Sequence, residues 1–439
     1  MTLRVPTNAD TVIGNRTTTS TDLYSSANIA NVVDYGAVGD GVTDDTAAIQ
    51  DACNAGDLVY FPTPEVAYLV SDKITCPNNV LVGDSRLNES TAEFSKIATI
   101  DSNSTVFEFT GTTVGMRYLT VQEGGGVAGG GGMTLVAVTG DAWSASAHFN
   151  DCWFTGGITQ LELNLCQGYV VTDCVFDYGW GTAVDCNSAP NLLFANNIVY
   201  QPNNIGMWVH GDSSYNLQIT NNFFQVQATA SQSTWRPSFA DMGPAQSALW
   251  FDECHGALVE GNVFNYNYQG IGLSSYSGNG CRDIGIKNNL FTGQFSSSIV
   301  MNAVDRVTIE GNDFVPFVEG DDETETENEL ANCVHVLATG ACDRITVTGG
   351  SMIGNTNRVQ GVQLSTDTTN CYVGGIVWED LAPIVDLGGT GNMTGQFIPP
   401  YTAGVPEITG ARDAPEGALA DLLASLSALG IINDSSTAS

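Results

Sequence analysis

A four-residue pattern that ends in an apolar residue recurs nine times and constrains the fold more than any other feature of the chain. The copies are DCWF (151–154), DCVF (173–176), NNIV (196–199), NNFF (221–224), GNVF (261–264), NNLF (288–291), GNDF (311–314), GGSM (349–352) and GGIV (374–377). Successive final residues are mostly 22 to 27 positions apart, and the two longer intervals, 40 and 38, contain insertions at 227–246 and 316–331. This period, with apolar alternation inside each repeat, predicts stacked coils that bury their apolar sides only against neighbouring coils, which is a parallel β-helix.

A column of small or polar residues lies two positions before each final apolar residue. Its members are Cys152, Cys174, Asn197, Asn222, Asn262, Asn289, Asn312, Gly350 and Gly375. The five successive asparagines predict a hydrogen-bonded ladder at a tight turn, because Asn tolerates left-handed backbone. Cys152 and Cys174 would then be neighbours about 5 Å apart, a spacing that permits a disulfide, although we expect stacked free thiols.

The N-terminal segment NVVDYGAVGDGVTDDTAAIQDAC (31–53) combines aspartates and glycines with a run of small apolar residues. Asp44 or Asp45 can cap a helix that we expect from about Thr46 to Asn54, and DLVYFP (57–62) reads as a buried strand. No glutamate follows at the distance that an EF-hand requires, so the cluster is interpreted as structural.

This segment resembles the N-terminal capping segment of the pectate-lyase-like superfamily of right-handed parallel β-helices, which includes polysaccharide-degrading enzymes and viral tailspikes or fibres. The resemblance implies an all-β, right-handed solenoid whose open end is covered by the short helix. The pectinase-type hydrolase motifs are not visible as a set, and the fold alone does not determine activity.

Acidic residues dominate the charge of the chain. Asp and Glu number 48 against 13 Lys and Arg, giving a formal net charge of −35, and lysine occurs only at Lys73, Lys96 and Lys287. Such self-repulsion is screened at high salt, so we interpret the chain as a halophilic protein, with an ordinary acidic secreted protein as the alternative. Nucleic acid is excluded as a partner, because no basic patch could neutralise phosphates.

The chain start lacks the apolar region of a signal peptide, and no apolar run is long enough to span a membrane. A virion component, which leaves the cell by assembly and lysis, would reconcile this start with an interior typical of extracellular carbohydrate-associated proteins. We therefore expect location at a virion surface in high salt, without membrane insertion.

Strand alternation predicts an outward stripe that could contact glycans. Its members are Glu162, Asp185, His210, Asp252, Ser274 and Asn302. Trp208 and Trp250 are expected to stack one coil apart beside the stripe, since tryptophan faces suit sugar rings. Trp235 and Arg236, in the first insertion, could form its lip.

Asp185, His210 and Asp252 are the candidate catalytic residues. Asp185 and Asp252, two coils apart, would be about 9.6 Å from each other, at the upper end of the inverting glycosidase range, whereas Glu162 and Asp185 fit the shorter retaining distance. His210 could act as acid or base. The alternative is a solvated face of a very acidic protein.

No cofactor or metal site is expected from the sequence. Calcium among these carboxylates is an option that no ligand spacing supports, and the acidic run 319–329 is interpreted as a solvated loop. The cysteines show neither a disulfide framework nor zinc-ligand spacing.

We divide the chain into an attachment arm (1–30), the β-helix (31–398), and a linker with an oligomerisation helix (399–439). The C-terminal segment 415–433 has an amphipathic stripe, and a helix of this length is marginal without a partner. The stripe consists of Leu419, Leu422, Leu423, Leu426 and Leu429. We expect it to pack against symmetry mates in a homotrimer.

These features together are typical of a spike or fibre of a halophilic virus that recognises carbohydrate or glycoprotein on a host surface and assembles with other virion proteins. The alternative is a polysaccharide lyase or glycoside hydrolase on the same fold. A cell-surface structural protein is disfavoured by the missing signal peptide.

Salt dependence tests the halophilic interpretation. Dilution below about a few hundred millimolar salt should abolish cooperative unfolding, because the excess carboxylates then repel one another without screening. Thermal unfolding followed by circular dichroism across a salt series measures this. A melting temperature that does not change with dilution would contradict the interpretation.

Overall fold

The computed structural model describes most of the region predicted to form the β-helix. The described residues are 10–13, 16–19, 28–84, 94–99, 105–124, 133–139, 146–165, 167–200, 202, 204–225, 247–274, 280–294, 296–316, 334–355 and 360–394. They form an all-β right-handed parallel solenoid of about 11 turns, as the repeat predicted. No helix among them is long and apolar enough to cross a membrane.

Each full coil contributes one strand to each of three parallel sheets. The first sheet consists of Ile74–Cys76, Phe107–Phe109, Thr134–Thr139, Thr159–Asn164, Thr182–Asn187, Met207–His210, Ser247–Asp252, Gln269–Ser274, Ile299–Asn302, Val334–Thr339, Gln360–Leu364 and Ala382–Asp386. The second sheet consists of Ile29–Asn31, Leu58–Phe61, Val80–Gly83, Thr113–Arg117, Ser146–Asn150, Gly168–Thr172, Leu192–Ala195, Tyr215–Thr220, His255–Glu260, Arg282–Lys287, Asp305–Glu310, Asp343–Thr348, Tyr372–Gly374 and Met393–Thr394. The third sheet consists of Asp40–Asp44, Ala67–Val70, Lys96–Thr99, Thr120–Glu123, Trp153–Thr155, Val175–Asp177, Ile198–Tyr200, Phe223–Gln225, Val263–Asn265, Leu290–Thr292, Asp313–Val315, Ser351–Ile353 and Val377–Glu379.

The N-terminal segment covers the first coils. It contains a 3₁₀ helix at Val32–Tyr35 and an α-helix at Thr46–Ala55, close to the predicted bounds. Asp44 Oδ1 accepts from Thr46 N (3.0 Å), whereas the Asp45 carboxylate accepts from Val38 N (2.7 Å) and Gly39 N (3.2 Å). The aspartates therefore hold turns of the backbone, which confirms their structural interpretation.

The apolar residues that end the first eight copies of the repeated pattern form a column inside the solenoid, but in the ninth copy Val377 is 55% exposed and Trp378 is the partner of Met352. Phe264 stacks on Phe224 with ring centroids 5.2 Å apart and on Phe291 at 4.8 Å, and Phe291 stacks on Phe314 at 4.9 Å. These rings are at most 1% exposed. Each coil thus buries its aromatic anchor against the next coil, as a solenoid requires.

The predicted asparagine ladder is present where the second sheet passes into the third, which we call the Asn corner. Asn262 Nδ2 donates to the Ile219 carbonyl (2.8 Å) and to Asn289 Oδ1 (2.9 Å). Asn262 Oδ1 accepts from Asn222 N (2.8 Å) and Nδ2 (2.9 Å). The same pattern links all five buried asparagines: Asn197, Asn222, Asn262, Asn289 and Asn312.

The left-handed backbone lies one residue earlier than predicted. Positive φ angles occur at the residues that precede the ladder, including Asn196 (58°), Asn221 (57°) and Asn288 (53°). Each Asn corner therefore uses one residue to turn the chain and the next to bond the neighbouring coil. Cys152 and Cys174, which continue this column, are buried as reduced thiols that donate to the carbonyls of Asn150 (3.5 Å) and Thr172 (3.3 Å).

The predicted terminal regions lie mostly outside the described residues. Within the arm, Asp10–Ile13 pairs with Arg16–Thr19 in an antiparallel hairpin. The C-terminal segment 415–433 and its assembly role remain predictions from the sequence.

Replacing Asn262 by Leu tests the ladder. The variant should lose about 1–3 kcal/mol of unfolding free energy, because the Ile219 carbonyl, Asn289 Oδ1 and both the backbone and side-chain N–H donors of Asn222 lose a buried partner. Chemical unfolding in high salt measures the loss. Asn265→Leu is the matched control, since Asn265 lies on the same coil but is only part-buried. Equal stability of the two variants would contradict the role of the ladder.

Candidate functional site

The residues of the predicted stripe lie on the first sheet, but they belong to two neighbouring outward columns. Glu162 is the Cα partner of Asp185, and Asp185 is the partner of Trp208, which in turn pairs with Trp250. His210 instead pairs with Asn187 in the second column, and Asp252 pairs there with Ser274. The predicted stripe is therefore not one continuous line. Glu162 and Asp185 lie in the column of Trp208 and Trp250, one outward position away from the column of His210 and Asp252.

The two columns meet at a hydrogen-bonded pair. His210 Nε2 lies 2.7 Å from Asp185 Oδ1, and each side chain is 24% exposed. The Trp208 ring stacks on the His210 ring, with centroids 4.2 Å apart and planes at 28°. Because the imidazole is held on one side by a carboxylate and on the other by an indole, its orientation is defined.

The remaining carboxylates flank this pair. Glu162 lies one coil before Asp185 in the same column, and its Oε1 accepts from Asn164 Nδ2 (2.6 Å). Asp252 lies one coil after His210, and its Oδ1 accepts from Ser274 Oγ (3.3 Å). The site thus combines three carboxylates, an imidazole and an indole on four successive coils.

The tryptophan platform differs from the prediction. Trp250 is only 8% exposed and lies against Gly272 of the next coil, where a Cβ would come within 2.0 Å of the indole Cε3. Trp208 is half-buried, and its Nε1 has no partner within the described part of the chain. Trp208 is therefore the indole of the pair that can contact a ligand, and Trp250 supports it from the next coil.

Charge is distributed unevenly among the sheets. None of the first-sheet strands described above contains Lys or Arg, whereas the second sheet contains Arg117, Arg282, Lys287, Arg306 and Arg344. Several of these form ion pairs on the second sheet, such as Arg344 Nη2–Asp305 Oδ1 (2.7 Å) and Lys287 Nζ–Glu310 Oε2 (2.8 Å). Lys73 pairs with Glu108 of the first sheet (2.6 Å), but the four first-sheet strands that carry the candidate site contain no Lys or Arg.

Two further predictions concern the lip residues and a metal site. Trp235 and Arg236 lie outside the described residues. Among the residues that the structure describes, no three His, Cys, Asp or Glu side chains are grouped to hold a metal ion.

A further aromatic group was missed by the sequence reasoning. It lies where the third sheet passes into the first sheet, which we call the loop corner, and includes Tyr178 (58% exposed) and Trp180 (48% exposed). Trp180 Nε1 donates to Glu123 Oε2 (2.9 Å), and Tyr178 packs edge-on against Tyr200 with centroids 6.1 Å apart. The beginning of this corner is half-buried Asp177, whose pKa is raised to about 6 by desolvation. The only sequence signal was the density of aromatic residues in DYGW (177–180).

Comparison with known proteins agrees with this architecture. Residues 29–256 match the sequence profile of the family described as rhamnogalacturonase A/epimerase, pectate lyase-like, and residues 161–375 match a right-handed β-helix region. No curated protein sequence matches the chain significantly.

Solved structures with the same fold are distant in sequence. The A-module of mannuronan C-5 epimerase AlgE6 from Azotobacter vinelandii is 17% identical, with a TM-score of 0.59 over 84% of this chain and 99% of that one. The Dettilon tailspike protein is 14% identical, with a TM-score of 0.55 over 80% of this chain and 68% of that one. The catalytic domain of a GH87 α-1,3-glucanase is 12% identical, with a TM-score of 0.54 over 81% and 66%.

At these identities the structural likeness shows the fold, while the profile match covers more than half of the chain. The protein belongs to the rhamnogalacturonase A/epimerase, pectate lyase-like family of right-handed parallel β-helices.

Proposed function

We propose that the first-sheet face around Asp185, His210 and Trp208 binds a glycan. The observation that carries this proposal is the fixed Asp185–His210 pair (2.7 Å) stacked on a half-buried indole. Such a group offers a sugar hydroxyl an acceptor and a donor, while the indole contributes apolar area to a sugar ring. The GH87 α-1,3-glucanase domain, which shares the fold and was solved in complex with tetrasaccharides, supports a carbohydrate as the ligand.

The charge of the face selects among glycans. Glu162, Asp185 and Asp252 lie within four coils, and no cation lies on the first-sheet strands. The insertion at 316–331, which precedes the first-sheet strand Val334–Thr339 in the sequence, contains seven acidic residues, and the insertion at 227–246 contains one Arg and one Asp. Because like charges repel across a partly desolvated face, the glycan of this proposal is uncharged or carries amino groups, and uronate polymers are rejected.

The biological setting that we propose is the spike or fibre of a halophilic virus, in which a homotrimer displays this face to carbohydrate on the host. The excess of acidic residues and the fold shared with the Dettilon tailspike protein support this setting. Attachment to other virion proteins would then use the terminal regions. Purification in multimolar salt followed by light scattering tests the trimer.

A glycan array in multimolar salt tests recognition. Neutral and amino-sugar oligosaccharides should bind, and oligogalacturonate and oligomannuronate should not. Trp208→Ala should weaken binding to the best array glycan at least tenfold, about 1.4 kcal/mol, because the indole both contacts the sugar and orients His210.

Tyr215→Ala is the matched control for this experiment. Tyr215 is an exposed aromatic residue that begins the next strand along the chain, Tyr215–Thr220, which belongs to the second sheet. It should bind as the wild type does. Strong uronate binding would overturn the proposed ligand class, and unchanged binding by Trp208→Ala would place recognition elsewhere.

Glycosidic bond cleavage is the second candidate function. Glu162 and Asp185 are Cα partners on adjacent coils, about 4.8 Å apart along the stack, which suits the two carboxylates of a retaining glycosidase. In that mechanism His210 would hold Asp185 in position and influence its protonation.

Product analysis separates binding from cleavage. If the site is hydrolytic, the bound glycan should yield new reducing ends, and Asp185→Asn should abolish them while part of the binding remains through Trp208. Assays for reducing ends and for unsaturated products on the same glycan measure this. A bound glycan that remains intact over long incubation would remove the catalytic candidate and leave recognition.

A further inference from the structure

We propose that Trp180 forms a second, distal stacking subsite for the same glycan, so that the ligand is an oligosaccharide lying along the strand direction across the loop corner. This inference rests on the proposed function of the Asp185–His210 site. It adds two features to that function: the direction in which the bound oligosaccharide lies, and a minimum ligand length greater than a disaccharide.

The position of Trp180 relates it to the first site. Trp180 precedes the first-sheet strand Thr182–Asn187, and Asp185 lies on that strand. The Trp180 backbone N–H donates to the Gly157 carbonyl (2.8 Å), so this part of the corner is already in register with the preceding coil. Trp180 and Asp185 are five positions apart, so the rise of an extended strand places their Cα atoms at most about 16 Å apart. A ligand of several sugars is long enough to contact both side chains.

The orientation of the indole is fixed by its neighbours. Glu123 Oε2 accepts from Trp180 Nε1 (2.9 Å) and from Gly157 N (2.8 Å), so one carboxylate joins three successive coils. Gly156 allows this approach, because its φ is +82° and a Cβ there would lie 2.4 Å from the Glu123 Cβ. An indole held in this way loses little conformational entropy when a sugar stacks on it.

The exposure of the indole is what a binding residue requires. Trp180 is 48% exposed although its polar atom is satisfied, so the accessible part is the apolar ring. Neighbouring Tyr178, which is 58% exposed and packs edge-on against Tyr200, extends the aromatic surface. Exposed aromatic groups of this kind in a very acidic chain mark a contact surface.

Affinity measured against ligand length tests the inference. The probes are α- and β-linked glucose oligomers and N-acetylglucosamine oligomers, each as a disaccharide and a hexasaccharide, titrated calorimetrically in multimolar salt. For the series that the wild type binds, Trp180→Ala should weaken hexasaccharide binding about fivefold or more and leave disaccharide binding unchanged, because only the longer ligand reaches the indole.

Two further variants distinguish stacking from a structural role. Trp180→Phe should retain part of the hexasaccharide affinity, since a ring remains. Glu123→Leu should reproduce the length-dependent loss by releasing the indole, whereas Glu123→Gln, which keeps an acceptor, should bind nearly as the wild type does. Tyr215→Ala again serves as the aromatic control, and the melting temperature confirms that each variant folds.

The outcomes separate this inference from the function on which it rests. Hexasaccharide binding that is unaffected by Trp180→Ala, or a loss that is equal for both ligand lengths, would overturn the distal subsite while leaving the first site intact. If the wild type binds neither length in any series and also binds no array glycan, both the proposed function and the distal subsite are overturned.

Discussion

The hydrogen bonding between one coil and the next at the Asn corner is the interaction on which the rest of the structure depends. Each ladder asparagine satisfies groups of two coils at once, and all five are at most 2% exposed. A buried amide that lost these partners would carry an unfavourable desolvation energy, so the coil register is strongly specified. With the register held there, the aromatic anchors stack inside and the outward positions of each sheet align into columns.

Column alignment brings residues that are distant in sequence together on one face of a repetitive chain. A side chain on one coil of the first sheet has neighbours directly before and after it, about 4.8 Å away, so Glu162, Asp185 and Trp208 become adjacent although they are far apart in sequence. Five of the described Lys and Arg residues lie on the second sheet, where they include partners of Asp305 and Glu310. The first sheet thereby keeps a surface chemistry of its own.

The sequence was sufficient where the repeat has constant length. From the strand Thr113–Arg117 onward, two residues separate the second-sheet strand from the third-sheet strand of each coil, so the ladder, the aromatic column and the stacked thiols of Cys152 and Cys174 could be predicted. The first-sheet columns follow corners of variable length, and alternation alone could not show that Asp185 aligns with Trp208 rather than with His210. The burial of Trp250 depends on Gly272 of another coil, and Trp180 belongs to no periodic pattern. Contacts of this kind, between residues of different coils that follow no repeat, become visible only in the three-dimensional structure.

The two corners also differ in how a gene for this chain could be altered. Both long insertions, 227–246 and 316–331, connect a third-sheet strand to a first-sheet strand in the sequence, as does the loop corner that contains Trp180. Lengthening a segment there costs mainly loop-closure entropy, which grows slowly with length. One residue added at the Asn corner would instead displace donors and acceptors on two coils. Insertions and exchanges at the loop corner can therefore change the surface beside the candidate site without changing the hydrogen bonds that hold the coils together. The properties of that surface and the stability of the fold can consequently change nearly independently.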